Sequence, residues 1–284
     1  MAQPTPLKLF NPERLGRVVI VGVGGTGSYV VSQLCRLLYG LKERGRDIPT
    51  VLLVDGDEVE PQNLVRQYYL PADLRRNKAV VLAERYARAY GIAVEALPQY
   101  LDADTDLAQI AGRRPYYNNF SYSVFVGCVD NGTARRVLHD RLQADYQNVV
   151  YIDAGNEAVS LPEDPEHVDR YGLARFRDSG WSGQVVAGVR ANNVNHLPFP
   201  GEVFPNLIED DEPVLREEAC GNVTTTEPQR HLTNHFAAVA VMGYLNSLLS
   251  EGTLVNSRTF FDARSGYMRS DTASSALLEL GIPG

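Results

Sequence analysis

A glycine-rich segment between an apolar run and a helical pattern is the feature that most constrains how this chain folds. The segment reads VVIVGVGGTGS and contains Gly22, Gly24, Gly25 and Gly27. Glycine permits a tight turn and lets backbone N–H groups approach a phosphate at the positive end of the following helix. The segment therefore predicts a strand, a turn and a helix that together bind a nucleotide. The alternative is that these glycines serve packing alone.

Apolar runs alternate with helical periodicity through the first half of the chain. This alternation is typical of a parallel sheet covered by helices, and right-handed crossovers then favour a Rossmann-like, doubly wound α/β fold with helices on both faces. We expect a mainly parallel sheet with an antiparallel C-terminal extension. The predicted strands are residues 17–23, 50–54, 93–97, 122–129, 149–152, 183–189 and 259–262, and the predicted helices are 26–41, 77–90, 133–146 and 229–249.

We expect residues 1–284 to form one domain. Residues 1–16 would be an N-terminal arm, and the polar, proline-containing segments 161–182 and 192–226 would be insertions or crossover loops. Loops of that length in a compact domain are usually functional.

Composition restricts the class of protein. The net charge of -8 argues against binding to nucleic acid or to an anionic membrane by counterion release. Three cysteines exclude a disulfide framework and a four-cysteine zinc site. No apolar run is long enough to span a bilayer, and the N-terminus lacks the apolar core of a signal peptide. The expected setting is the cytoplasm.

Two acidic residues follow the second predicted strand. Asp55 is placed to accept hydrogen bonds from ribose hydroxyls, and Asp57 comes two residues later. This position does not separate ATP from NAD. The alternative is a solvated turn, because Asp-Gly is a favoured turn pair.

A set of hydrogen-bond donors comes next in the chain. Asn63, Arg66, Gln67 and Lys78 follow the predicted nucleotide turn within one segment. Such a set suits the concentrated charge of a triphosphate.

Five motifs in one order resemble the ThiF/MoeB family of adenylating enzymes, which are related to the enzymes that activate ubiquitin and ubiquitin-like proteins. The resemblance covers roughly residues 17–136. The motifs are the glycine turn Gly22 to Gly27, the pair Asp55 and Asp57, the Asn-Leu-x-Arg-Gln string from Asn63 to Gln67, the pair Lys78 and Ala79, and the pair Asp130 and Asn131.

The resemblance implies a role for each motif. Gly24 and Gly25 would line ATP, and Asp55 would hold the ribose. Arg66 and Lys78 would meet the phosphates, and Asp130 would bind Mg²⁺. The full set implied to bind the cofactor is Gly22, Gly24, Gly25, Gly27, Asp55, Asp57, Asn63, Arg66, Gln67, Lys78 and Asn131.

Each implied role has a simpler structural alternative. Arg66 would then form a surface ion pair, Lys78 would be a solvated residue that opens a helix, and Asp130 would cap the next helix.

The resemblance also implies the reaction and the partners. A carboxylate would attack the α-phosphate of ATP, release pyrophosphate and form an acyl adenylate. In the family this carboxylate is the C-terminal glycine of a ubiquitin-like protein, so the expected partner is such a protein or a peptide. Arg14 would reach the nucleotide site of a partner subunit in a homodimer.

Cys220 is the cysteine whose chemistry is worth testing. It lies in the polar segment REEACGNV, whereas Cys35 and Cys128 lie in apolar segments. Activating enzymes often use a cysteine in such a region to take the acyl group as a thioester. Transfer to a conjugating or sulfur-accepting protein would follow. The alternative is an unreactive loop cysteine, since Glu217 and Glu218 disfavour a thiolate.

The chain departs from the family pattern because it lacks the two Cys-x-x-Cys pairs that often bind a structural zinc. Its length and zinc-free pattern are similar to those of ThiF-family proteins of bacterial PRTRC gene systems. Two other functions stay open. An NAD(P)-dependent oxidoreductase explains the glycine turn and Asp55 but not Arg66, Lys78 or Asp130. A non-catalytic subunit that binds a ubiquitin-like protein would not need the phosphate and magnesium positions.

Overall fold

A computed structural model of the protein describes residues 5–102, 104–111, 122–145, 148–160, 170–209 and 229–274. The strands are β1 (Leu7–Lys8), β2 (Leu15–Val21), β3 (Thr50–Val54), β4 (Val94–Leu97), β5 (Tyr122–Gly127), β6 (Val149–Asn156), β7 (Ser182–Ala191), β8 (Val194–Leu197), β9 (Thr253–Leu254), β10 (Asn256–Asp262) and β11 (Tyr267–Thr272). The α-helices are α1 (Gly25–Glu43), α2 (Lys78–Tyr90), α3 (Leu107–Ile110), α4 (Gly132–Asp145), α5 (Arg170–Asp178), α6 (Pro200–Val203), α7 (Asn206–Glu209) and α8 (His231–Glu251).

The main sheet has the order β11-β10-β7-β6-β5-β2-β3-β4, and β8 pairs with β7. The strands from β4 to β6 are parallel, whereas β7, β8, β10 and β11 add antiparallel pairs. The predicted Rossmann-like fold and its antiparallel extension are therefore confirmed. The chain order reverses at β2, which lies between β3 and β5, and ligands of open α/β sheets bind at such a point.

Side chains alternate between the two faces of the sheet, as strand geometry requires. On β2, Val18 and Ile20 belong to the core under α1, α2 and α8, whereas Val19 and Val21 belong to the core on the opposite face with residues of α4. All four are buried. This two-sided burial explains why the parallel strands read as continuous apolar runs in the sequence.

Short polar signals fix the ends of α2. The Asn77 side chain accepts a hydrogen bond from the N–H of Val80 (3.1 Å), which caps the first turn. Gly91 ends the helix with φ +58°, a conformation that glycine adopts without steric cost. Lys78 is therefore held at the first turn of a well-defined helix.

The two segments predicted to be insertions or crossover loops contain regular structure in their described parts. Within 161–182, residues 170–178 form α5 and Ser182 begins β7; within 192–226, residues form β8, α6 and α7. The hairpin from β7 to β8 turns through Asn192 (φ 51°) and Asn193 (φ 66°). Positive φ at both central residues is typical of a type I′ hairpin turn, so this asparagine pair was a signal for it. Strand β11 was not predicted because its residues are mostly exposed and polar.

No α-helix in the described ranges combines the length and the apolar character needed to cross a bilayer.

Candidate functional site

The glycine turn joins the carboxyl end of β2 to the first residue of α1. Gly22 has φ +81°, and a Cβ atom there would lie 2.7 Å from the carbonyl oxygen of Cys128. A Cβ atom at Gly27 would overlap the carbonyl oxygen of Gly22. Gly24 is the N-cap residue of α1, and no side chain caps this end. The turn is therefore compact, and N–H groups of the first helical turn stay available to an anion.

Asp55 closes the turn from the end of β3. One carboxylate oxygen accepts a hydrogen bond from the N–H of Val23 (2.8 Å), and the other accepts from the N–H of Asp57 (2.9 Å). Burial, helped by the charge of Asp57, raises the pKa of Asp55 to about 6, against the opposing effects of Lys78 and of the two N–H donors. A carboxylate has further lone pairs, so Asp55 has capacity for ribose hydroxyls in addition to these bonds.

Lys78 and Asp57 form an ion pair beside Asp55. The Lys78 ammonium lies 2.8 Å from the Asp57 carboxylate, and its side chain is only 7% exposed. The Tyr100 hydroxyl also donates to Asp57. The alternative of a solvated Lys78 is therefore wrong. Asp57 is the ion-pair partner of Lys78.

The string from Asn63 to Gln67 packs along the turn. The Asn63 side chain is buried and accepts a hydrogen bond from the N–H of Glu60 (2.9 Å), so it fixes a 3-10 helix, Pro61–Val65. Nε2 of Gln67 would lie 3.6 Å from a Cβ atom at Gly24, and Oε1 of Gln67 is buried with no hydrogen-bond partner in the described part of the chain. The half-buried Arg66 side chain forms no hydrogen bond or ion pair with the residues that the structure describes. A buried polar atom without a partner beside a glycine turn is typical of a ligand site.

Asp130 and Asn131 follow β5 at the same edge of the sheet. Oδ1 of Asn131 accepts a hydrogen bond from the N–H of Ala134 (2.9 Å). Asn131, and not Asp130, is therefore the residue that caps α4. Asp130 is exposed and lies two residues beyond Cys128, whose carbonyl group contacts Gly22. Mg²⁺ commonly takes one or two carboxylates plus phosphate oxygens, and Asp130 is an exposed carboxylate at this edge of the sheet.

A buried ion pair lies behind Asp130. Nε of Arg135 lies 3.1 Å from the carboxylate of Asp153, and Nη2 donates to the carbonyl oxygens of Val129 (2.7 Å) and Ala154 (3.2 Å). The Tyr151 hydroxyl donates to the same carboxylate (2.9 Å). Arg135 therefore ties the backbone just before Asp130 to the end of β6. No motif in the sequence marks Arg135, although it lies in the helix after Asp130.

A buried polar cluster lies on the other side of the turn. It consists of Thr26 on α1, Asn156 on β6 and Asn234 on α8, which hydrogen-bond to one another. A Cβ atom at Gly25 would lie 2.6 Å from Nδ2 of Asn234. These three residues were also missed, because no local motif marks positions so far apart in the sequence.

Two predicted residues remain, Arg14 and Cys220. Arg14 is exposed in a 3-10 helix, Pro12–Arg14, at the amino end of β2. The strand Leu15–Val21 separates it from the glycine turn by roughly 20 Å, so the turn of its own subunit is out of its reach. Cys220 lies outside the described residues. Across the described residues, no group of three histidine, cysteine or acidic side chains is arranged to hold a metal.

Strand order and the turn at the chain reversal define a Rossmann-like α/β protein. The chain belongs to the ThiF family, whose model matches residues 13–264. A comparison with curated protein sequences gave no match.

Solved structures support the same fold. The crystal structure of E. coli MccB with ATP has 17% sequence identity and a TM-score of 0.56, and the match covers 92% of this chain and 66% of that one. The selenomethionine form of PaaA has 17% identity and a TM-score of 0.55, with 92% and 65% covered. E. coli MccB with AMPCPP and MccA has 15% identity and a TM-score of 0.54, with the same coverage. This chain thus spans slightly less than two thirds of these relatives.

Proposed function

We propose that this protein uses ATP and Mg²⁺ to adenylate the C-terminal carboxylate of a peptide or of a ubiquitin-like protein. A carboxylate oxygen would bond to the α-phosphorus, and the bond from that phosphorus to the bridging oxygen of the β-phosphate would break. Pyrophosphate would leave with the bonding electron pair, and the product would be an acyl adenylate. Membership of the ThiF family favours this function over an NAD(P)-dependent oxidoreductase.

One observation carries the proposal. The uncapped end of α1, the buried Lys78 and the carboxylate of Asp55 meet at the point where the chain order of the parallel sheet reverses. A positive helix end and a buried ammonium suit phosphates, and a carboxylate suits ribose hydroxyls. The structures of E. coli MccB contain ATP or AMPCPP, which are ligands of this chemical class.

The residues of this chain would act by holding charges in place. Arg66, half-buried and without a partner among the described residues, would turn to the phosphates, and Lys78 would add positive charge from within its pair with Asp57. Asp130 would hold Mg²⁺, which when bound supplies charge neutralisation to the phosphates. No side chain needs to act as a nucleophile in this step, because positioning and charge stabilisation account for such transfers.

Later steps are part of the proposal. Cys220 would attack the carbonyl carbon of the adenylate through its thiolate, with AMP as the leaving group, and the thioester would pass to a conjugating or sulfur-accepting protein. Arg14 would serve the site of a second subunit in a homodimer, since it lies at the opposite edge of the sheet from the turn of its own subunit.

Exchange of labelled pyrophosphate into ATP tests the first step. Wild-type protein is incubated with candidate peptides and ubiquitin-like proteins that end in glycine, and the exchange rate is measured. We expect exchange with at least one candidate, its loss in Asp130→Ala, and its survival in Cys220→Ala. The exposed Asp140 on α4 provides the matched control, and Asp140→Ala should exchange at the wild-type rate.

The same assay separates the alternatives. A wild-type protein that shows no exchange with any candidate but oxidises or reduces a nicotinamide cofactor would be an oxidoreductase. Binding of a ubiquitin-like protein without any exchange would define a non-catalytic subunit. An adduct that is sensitive to thiols and persists in Cys220→Ala would remove Cys220 as the acceptor.

A further inference from the structure

The hydrogen bonds of the buried polar cluster leave one donor unused. Nδ2 of Asn156 donates to Oγ1 of Thr26 (3.0 Å) and to Oδ1 of Asn234 (2.8 Å), and the Thr26 hydroxyl donates to the same Oδ1 (3.2 Å). These three bonds use both hydrogens of the Asn156 amide and the hydroxyl hydrogen. In the structure the oxygen of the Asn234 amide faces these two donors.

Nδ2 of Asn234 is therefore left facing away from the cluster. It is buried, and it has no hydrogen-bond partner among the described residues. Asn234 itself is fully buried. Buried polar groups are almost always paired, and an exception calls for a functional explanation.

This unused donor lies against Gly25, the first residue of α1. A Cβ atom built on Gly25 would lie 2.6 Å from Nδ2. Nδ2 therefore lies beside the first turn of this helix. The N–H groups of this turn and Nδ2 are all donors, so the position between them suits an anion.

We propose that Asn234 binds a phosphate oxygen of the nucleotide through Nδ2. The inference rests on the proposed function, since it takes a nucleotide to be the ligand of the glycine turn. The phosphate oxygen would accept a hydrogen bond from Nδ2 once the turn has adjusted around the bound phosphate. The hydrogen bonds with Thr26 and Asn156 would hold the Asn234 amide in the required orientation. Asn234 would thus join α8, the helix that follows residues 210–228, to the nucleotide.

The proposed contact also explains why residue 25 has no side chain. Any side chain there would occupy the space between the helix end and Nδ2, and its Cβ atom would be closer to Nδ2 than nonbonded atoms allow. Gly25 is thus required by Asn234 as well as by the phosphate.

Two matched variants separate a binding role from a structural one. Asn234→Asp replaces the unpartnered Nδ2 by oxygen and keeps Oδ1, so no hydrogen bond of the cluster is lost. Asn156→Asp makes the same chemical change in the same cluster but removes the group that donates two bonds. The full chain is used for each variant at about pH 8, where a carboxyl group is ionised unless burial shifts its pKa strongly.

Calorimetry then measures the dissociation constants of ATP, AMP and adenosine, and thermal unfolding without ligand measures Tm. We expect Asn234→Asp to weaken ATP binding by about 10-fold or more, since hydrogen bonds to charged groups contribute on that order. Adenosine binding should not change, because adenosine lacks phosphate. An equal loss for AMP assigns the contact to the α-phosphate, and a loss for ATP alone assigns it to the β- or γ-phosphate. Asn156→Asp should lower Tm more than Asn234→Asp does.

Unchanged ATP affinity in Asn234→Asp, while wild-type protein binds ATP, would overturn this inference and leave the proposed function intact. Equal weakening of ATP and adenosine binding would also overturn it, because a distorted site affects both ligands. If the wild-type protein binds no nucleotide, both the inference and the proposed function are wrong.

Discussion

Lys78 and Asp57 join the first turn of α2 to the segment that follows β3, with 2.8 Å between ammonium and carboxylate. The pair keeps a positive charge in a mostly buried position beside Asp55. A buried ammonium without a partner is costly, and Asp57 supplies the opposite charge for Lys78 next to the turn. The arrangement places a cation near the proposed phosphates before ATP arrives.

Lys78→Met should therefore lower the rate of pyrophosphate exchange by about 100-fold or more, the order of effect seen when one preorganised charge-stabilising group is removed. Methionine keeps much of the side-chain volume but not the charge. Lys42→Met is the matched control, since Lys42 is exposed at the far end of α1. Equal exchange rates in the two variants would contradict a role for Lys78 at the phosphates.

The ionisation of Asp55 should control the affinity for adenosine. Its pKa of about 6 lies above the ordinary value, so the carboxyl is ionised above pH 6 and gains a proton below it. Only the ionised form accepts hydrogen bonds from the ribose through both oxygens. We expect the affinity for adenosine, which carries no phosphate, to fall as the pH is lowered through about 6. Calorimetric titrations between pH 5 and 8 measure this.

Asp55→Asn provides the control for that titration. Its affinity should be lower than that of the wild type at pH 8 and should not vary with pH. The raised pKa of Asp55 also affects the free energy of unfolding, with the opposite dependence on pH. The folded state binds the Asp55 proton more tightly than the unfolded state does. This contribution to stability is therefore present at low pH and is lost as the pH rises from about 4 through 6. A pH-dependent affinity that persists in Asp55→Asn would show that another group is responsible.

Two glycines of α1 should respond in opposite ways to alanine. Gly27→Ala places a methyl group against the carbonyl oxygen of Gly22, so the turn must move and nucleotide binding should be lost. Gly40 has no atom within 4 Å of its Cβ position. Gly40→Ala should raise the free energy of unfolding by about 0.5–1 kcal/mol, because alanine restricts the unfolded chain more than glycine does. Denaturant titration and calorimetry measure the two effects, and loss of binding in both variants would argue against steric crowding at Gly27.

The buried ion pair of Arg135 and Asp153 should contribute more to the free energy of unfolding than an exposed ion pair does. Arg135→Met leaves the Asp153 carboxylate buried with the Tyr151 hydroxyl as a neutral partner. Breaking a buried ion pair on one side typically costs about 3–5 kcal/mol, and urea unfolding would measure the loss. Arg177→Met tests an exposed pair, that of Arg177 with Asp178, and should have little effect. The buried pair would be unimportant if the two variants unfolded alike.

The parallel half of the fold was predictable because four of its five strands, β2, β3, β5 and β6, are buried on both faces. The run at 50–54 and the helix pattern at 77–90 agree with β3 and α2 to within one residue. Asp55 and Lys78 were predicted because they lie within a few residues of such elements. The local sequence was thus enough to predict these two residues of the proposed nucleotide site.

The rest of the site depends on residues that meet only in the folded chain. Thr26 and Asn234 are 208 positions apart, yet they share a hydrogen bond. Asn234 lies in an apolar helical pattern that gives no sign of a polar contact. Arg135 is similar, since its partner Asp153 belongs to the next strand. Strand order, rather than any motif, brings these groups together.

The N-terminal arm is fastened to the end of α8. Strand β1 pairs with β9, and the N–H groups of Leu9 and Phe10 donate to the carbonyl oxygen of Gly252 (2.9 and 3.3 Å). Arg14 therefore projects from a clamped segment whose direction is set by the folded subunit. If a second subunit uses this arginine, the folded arm sets the angle at which the two subunits dock. Association then costs little orientational entropy at this contact.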